Sequence, residues 1–178
     1  GIAGQMYDGA SLIENCTVSE AAGWTTLISA RDYAGGIAGS IESGTVTGCT
    51  MTGGEVTAYN QDAGGIAGSI KSGTITGCTM TGGSVTSTDM CAGGIAGQMY
   101  DGASLIENCT VSEAAGSTTL ISTNNNAGGI AGYIKSGTVT GCTMTGGTVT
   151  ANSNVGGMAG ETDERSVITA CTVTGGSL

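Results

Sequence analysis

Seven cysteines and a set of regularly placed hydroxyls are the residues of this 178-residue chain with the most chemical potential. Six of the cysteines share one setting, Cys-Thr-apolar-Thr or Ser. They are Cys16, Cys49, Cys78, Cys109, Cys142 and Cys171, separated by 33, 29, 31, 33 and 29 residues. Structural zinc sites use closely spaced pairs such as CxxC, and the closest pair here is Cys78 and Cys91. If successive copies stack, neighbouring cysteines come within disulfide reach at their Cα atoms. In-register parallel side chains point the same way, however, which holds their Cβ atoms further apart than a bridge prefers. Three readings stay open: free thiols used as small core residues, which the pattern favours, disulfides between some turns, or a metal. Cys91 breaks the pattern. It aligns with Tyr33, Asp62, Asn126 and Asn154, and an exposed corner thiol, idle or crosslinking, is expected there.

The hydroxyls after each ladder cysteine are Thr17 and Ser19, Thr50 and Thr52, Thr79 and Thr81, Thr110 and Ser112, Thr143 and Thr145, and Thr172 and Thr174. On stacked strands they form two parallel outward rows on one flat face, a candidate binding surface. Thr is also simply a favoured solvent-facing strand residue. The carboxylates do not recur at one place in every copy. Asp8 and Asp101 lie three copies apart, and only the segment Glu161, Asp163 and Glu164 suggests a lone weak calcium site, with a solvated acidic corner the favoured reading. There is no His, and the four cations, Arg31, Lys71, Lys135 and Arg165, are isolated. General acid–base catalysis has little to work with, so the chain reads as a non-enzyme without a cofactor. A phosphate-cradling role for GGIAG fails because no helix start or Lys-Ser/Thr follows it. Asn15-Cys16-Thr17 and Asn108-Cys109-Thr110 match the glycosylation triplet beside inward residues and read as coincidental.

What must position these side chains is a repeat. GGIAG recurs at Gly35, Gly64, Gly93 and Gly128, with GGMAG at Gly156, and the chain begins inside a further copy. Cys16 to Cys109, Cys49 to Cys142 and Cys78 to Cys171 are each 93 residues apart, and residues 1–29 and 94–122 differ only at Trp24 against Ser117. One domain over 1–178 is therefore two near-duplicate three-turn blocks, about 1–92 and 93–178. Within Gly44–Thr57 apolar and hydroxyl residues alternate with period two, the pattern of a half-buried strand. The helical i, i+3, i+4 pattern is missing, and the 35 glycines would each cost about 1 kcal/mol in a helix. The expectation is an all-β parallel β-solenoid of about six turns of 28–35 residues. Each turn has three short strands: GGIAG, GTVTGCTMT and GGxVT. Parity points Val46, Cys49, Met51 and Val56 inward and Thr45, Thr47, Thr50, Thr52 and Thr57 outward, with a corner at Gly48. The longer copies at 1–34 and 93–127 carry a loop in the third segment, with Trp24 and Tyr33 in or near it.

The repeated GGIAG element followed by a CTVTG-like strand resembles the GLUG-motif repeats of bacterial cell-surface proteins, over nearly the whole chain in six copies. In that family the repeats occur in large secreted or wall-attached polypeptides, including adhesin-like proteins and the non-catalytic parts of some immunoglobulin-A-cleaving metalloproteases. The resemblance implies an extracellular or cell-surface, stalk-like or adhesive module. It transfers no catalytic residue, because the zinc-ligand motif has no match here. The flat Thr-x-Thr array also resembles the ice-binding faces of insect and microbial antifreeze proteins, which makes ice binding the alternative. A third reading is glycan binding along Tyr7, Tyr100 and Tyr133.

Net charge is −10, which disfavours nucleic acid and anionic membrane surfaces. No run of 18 apolar residues is present for membrane insertion. The chain opens on Gly1 and stops partway through a turn, so it reads as a segment of a longer protein or as a unit that stacks head to tail with itself. Expected partners are thus another copy or a host or surface ligand.

Overall fold

Alternating Thr and apolar residues interrupted by glycine produce short strands that turn sharply and then meet their own repeat one turn later. The computed structural model describes residues 1–21 and 25–178; Trp24 lies outside the described residues. Every strand ladder is parallel, and each strand of the inner turns pairs with its equivalents in the turns before and after. The result is an all-β, right-through solenoid of about six turns, with no helix among the described residues.

Three faces carry the ladders. The first is built from long strands such as Ala38–Thr47, Ala67–Thr76 and Ala131–Thr140. The second is the TxT face, Thr17–Ser19, Thr50–Thr52, Thr79–Thr81, Thr110–Ser112, Thr143–Thr145 and Thr172–Thr174. The third holds Leu27–Ala30, Glu55–Ala58, Ser84–Ser87, Leu120–Thr123 and Thr148–Ala151. A short corner ladder of two or three residues, including Ala63–Gly64 and Cys91–Gly93, leads back to the first face. The expected break between GGIAG and GTVTG is absent in the second, third, fifth and sixth copies and present only in the first and fourth. There the strand continues through Gly44, bent at φ 122°, because the carbonyl of Ser11 and the Met6 side chain approach where a Cβ would stand.

The inward set is Val46, Cys49, Met51 and Val56, all fully buried, with their equivalents in columns such as Val46, Ile75, Ile106 and Val139. A narrow interior has room for one large side chain per layer only where its opposite number is absent. The second glycine of GGIAG provides that room: a Cβ on Gly65 or Gly129 would collide with the sulfur of Met80 or Met144.

The corner before each ladder cysteine is left-handed in every turn. Gly48, Gly77 and Gly141 have φ of 59°, 60° and 63°, and the same place is taken by Asn15, Asn108 and Ala170 at 52°, 52° and 53°. Asn tolerates this region because its short polar side chain bonds locally; Ala does not. The two glycosylation-like triplets are thus corner asparagines.

At Gly77 an added Cβ would meet nothing within 4 Å. Gly77→Ala therefore isolates the conformational cost and is expected to destabilise by about 1–2 kcal/mol, while Ala170→Gly is expected to stabilise by up to about 1 kcal/mol. Urea denaturation of the two variants checks both signs.

Candidate functional site

The six ladder cysteines share one corner geometry. Each thiol donates to the carbonyl two residues back across the left-handed residue: Cys16 to Glu14 (3.3 Å), Cys49 to Thr47 (3.3 Å), Cys78 to Thr76 (3.5 Å), Cys109 to Glu107 (3.3 Å), Cys142 to Thr140 (3.4 Å) and Cys171 to Thr169 (3.2 Å). The thiol is a second, weaker donor to a carbonyl that in five of the six turns already accepts a backbone N–H from the neighbouring turn, as Thr47 does from Asn15 at 3.0 Å. All seven cysteines are free; Cys49, Cys78, Cys109 and Cys142 are buried and Cys16 and Cys171 half-buried. Burial raises the Cys49 thiol above its ordinary value. Cys109 is raised through its thiol contacts with Cys142 and Cys78 and by burial. The Cys109 thiol in turn lowers its neighbours Cys78 and Cys142, the latter to about 7, although both are packed in the interior.

The twelve hydroxyl residues form two continuous columns. One runs Thr17, Thr50, Thr79, Thr110, Thr143 and Thr172, the other Ser19, Thr52, Thr81, Ser112, Thr145 and Thr174. Neighbours in a column lie about 4.8 Å apart, and Thr81 and Ser112 share a hydroxyl contact of 3.3 Å. The face offers hydroxyls and methyls on a regular lattice and no concavity.

Cys91 is not on an exposed corner. It is 1% accessible, because the short corner ladder that contains it pairs on both sides, Ala92 with Ala63 and Cys91 with Asn126. This corner is a polar spine. Tyr100 donates to Asp62 Oδ2 at 3.3 Å, Asn126 Nδ2 donates to Glu161 Oε2 at 2.7 Å and contacts Cys91 Sγ at 3.9 Å, and Asn154 Nδ2 donates to Asn126 Oδ1 at 2.8 Å. Asp62 is fully buried, and its Oδ1 and the Oε1 of buried Gln98 have no partner. Burial pushes the Asp62 carboxyl up to about 7, partly opposed by the Cys91 thiol, the Tyr100 hydroxyl and the Cys91 backbone N–H. A proton on Asp62 converts one of its oxygens into a donor. Sequence alignment placed these residues in one column but gave no sign that the column was enclosed.

The tyrosines form no strip. Met99 pairs with Ile70 and Met6 with Ile41, so Glu42 and Lys71 stand between Tyr7 and Tyr100, while Tyr133 pairs with Gln98 in a different column. The acidic segment near residue 161 is also dispersed. Glu161 accepts from Asn126 and Asp163 from the Tyr133 hydroxyl at 2.9 Å, and no group of three metal-ligating side chains converges among the described residues.

Two insertions lengthen the fourth turn. The expected third-segment loop is present at residues 113–119, between Ser112 and Leu120. A second, on the first face, is Tyr100–Ser104, two residues longer than its counterparts in the adjacent turns and equal to Tyr7–Ser11 of the first, closed by a Ser104 N–H to Asp101 carbonyl bond of 2.8 Å. The 31-residue step from Cys78 to Cys109 was its signal. In the last turn the register slips between Ile134 and Ser136, whose partners are Thr162 and Arg165. This bulge was visible as 92 residues between Gly64 and Gly156 but 93 between Cys78 and Cys171. Between loop and bulge lies a cleft of about 700 Å³.

No protein-family model matches the sequence, and no curated protein matches it. Among solved structures, the chain is similar to a protein of Bacteroides ovatus described as a "putative immunoglobulin A1 protease". The TM-score is 0.68 and the identity 28%, over 89% of this chain and 50% of that one. The chain spans about half the length of that protein, and the likeness supports the solenoid fold.

Asp62 gives a pH test with a definite sign. A carboxyl raised from 3.8 to about 7 keeps its proton in the folded state after the unfolded chain has lost it. Its stabilisation is complete below about 4 and is lost as pH rises to about 7, at most about 4 kcal/mol. Thermal melts are expected to show Asp62→Asn more stable than the parent at pH 8 and with a flatter slope between pH 4 and 7.

Proposed function

We propose that this chain is a non-enzymatic structural repeat, a rigid module of a secreted or cell-surface protein of the GLUG-repeat type, that spaces or displays and associates through stacked turns. The observation that carries this reading is the seam between the two blocks. Thr79, Met80 and Thr81 pair with Thr110, Val111 and Ser112, and Thr74, Ile75 and Thr76 with Leu105, Ile106 and Glu107, without a break in register. Residues 94–122 repeat residues 1–29 with one difference. The turn of Cys171 therefore receives the first turn of another block in the same register, from one polypeptide or from a second copy. Backbone ladders and apolar columns supply the association, and flat faces rather than a pocket supply most of the surface. That this chain matches only half of the Bacteroides ovatus protein supports a place within a larger polypeptide. On this chain the thiols are spent on corners and no His is present.

Electron microscopy and light scattering of the purified chain over rising concentration are expected to show rods one solenoid wide that lengthen by the same increment. Particles that stay single at every concentration, or cleavage of immunoglobulin A1 by this chain alone, overturn the reading.

The alternative is ice binding by the TxT face, favoured by the two unbroken hydroxyl columns. On that reading the chain produces thermal hysteresis, and Thr79→Tyr with Thr143→Tyr removes most of it; a parent protein without hysteresis ends the idea.

A further inference from the structure

The cleft on the first face sits where the two blocks, otherwise near copies, have diverged. In the first block the corresponding place holds a neutralised pair. Ser43 and Ser72 pair in register, and Lys71 Nζ lies 3.1 Å from Glu42 Oε2, the one ion pair among the described residues. In the second block Lys135 replaces Glu42, and the bulge inserts a residue so that Asp163 and Glu164 face Lys135. Among the described residues neither Lys135 nor Arg165 forms an ion pair, although three carboxylates line the same space. Two of the chain's four cations thus stand unneutralised in one cleft of a molecule carrying net charge −10.

The walls are held in place. The Asp101–Gly102 turn rests on Ser136, whose Oγ would lie 3.2 Å from a Cβ on Gly102. Ser72 Oγ donates to Asp101 Oδ2 at 3.3 Å, Tyr133 donates to Asp163, and Ser166 Oγ donates to the Ile134 carbonyl at 2.6 Å at the exit of the bulge. Tyr100, half-buried with its hydroxyl tied to Asp62, is the aromatic side chain of the lining, and there is no aliphatic Leu, Ile, Val or Met.

We infer that this cleft, formed by Tyr100, Asp101, Lys135, Asp163, Glu164 and Arg165, binds a short neutral oligosaccharide. A sugar hydroxyl both donates and accepts, so a ligand dense in hydroxyls uses carboxylate acceptors beside ammonium and guanidinium donors, where a singly charged ligand would face opposition from one set. The tyrosine ring offers a flat apolar surface to the C–H face of a pyranose. A peptide would want an aliphatic pocket for its anchor side chain, which these walls lack, and an acidic glycan meets the net charge of the chain. The volume falls within the range of small-molecule sites. The site lies on the first face across turns four to six and borders the edge at which the stacking proposed above adds a turn, so binding is measured on the single chain.

Saturation-transfer NMR and calorimetry on the intact chain with maltotriose, cellotriose, mannotriose and chitotriose test the assignment, with sialyllactose and an acidic and a basic hexapeptide alongside. At least one neutral trisaccharide is expected to bind. Arg165→Ala and Tyr100→Ala are each expected to weaken it by about tenfold or more, while Tyr100→Phe, which keeps the ring, stays within about twofold. Glu42→Ala, at the ion-paired counterpart, leaves binding unchanged. Thermal melts of Arg165→Ala that match the parent separate lost contact from lost fold. No binding by any neutral trisaccharide, binding indifferent to Arg165→Ala and Lys135→Ala together, or binding confined to sialyllactose or a hexapeptide overturns the proposal.

Discussion

The backbone hydrogen bonds that tie each turn to the next in register govern everything else in this molecule. Because they run along the axis, they place every residue on its own equivalent one step of about 4.8 Å away. A side chain that suits one layer must suit contact with its copy above and below. Val, Ile, Met and Cys satisfy this inside, where Val46, Ile75, Ile106 and Val139 make one dry column. Thr satisfies it outside, where hydroxyls of adjacent turns tolerate each other and water alike. Charges repeated in this way would repel at short range, which fits a chain with only 10% charged residues.

The same constraint sets the price of turning. Each corner recurs in every layer, so a local solution is used repeatedly or not at all. A left-handed residue followed by a cysteine whose thiol answers the carbonyl two residues back is one such solution, repeated six times. The paired glycines opposite Met80 and Met144 are another. Cysteine serves here as a small donor with a preference for the interior. Its redox chemistry plays no part in the geometry.

Where the register is interrupted, the surface acquires individuality. The Tyr100–Ser104 loop and the bulge between Thr162 and Arg165 each lengthen one layer without disturbing the core columns. Both changes fall on the first face, and together they open a concavity in an otherwise flat array. The buried polar corner around Asp62 and Cys91 differs in kind. It replaces hydrophobic packing with bonds among Tyr100, Asn126, Asn154 and Glu161, so its protonation is tied to stability.

The amino-acid sequence alone determined the solenoid, its turn count, the inward set Val46, Cys49, Met51 and Val56 and the two hydroxyl columns. Period-two alternation and a fixed repeat length leave a stacked strand no other face to choose. Even the loop and bulge were written in spacings of 31 and of 92 against 93 residues. What only the tertiary structure decided was enclosure and diagonal contact. The short corner ladder pairs on both sides and buries Cys91, a position that reads as exposed because its aligned neighbours are polar. Tyr100 reaches Asp62 across turns, and Tyr133 falls in a different column from Tyr7. Such relations depend on how one turn's corner folds against the next turn's strand, and repeat spacing carries no information about that direction.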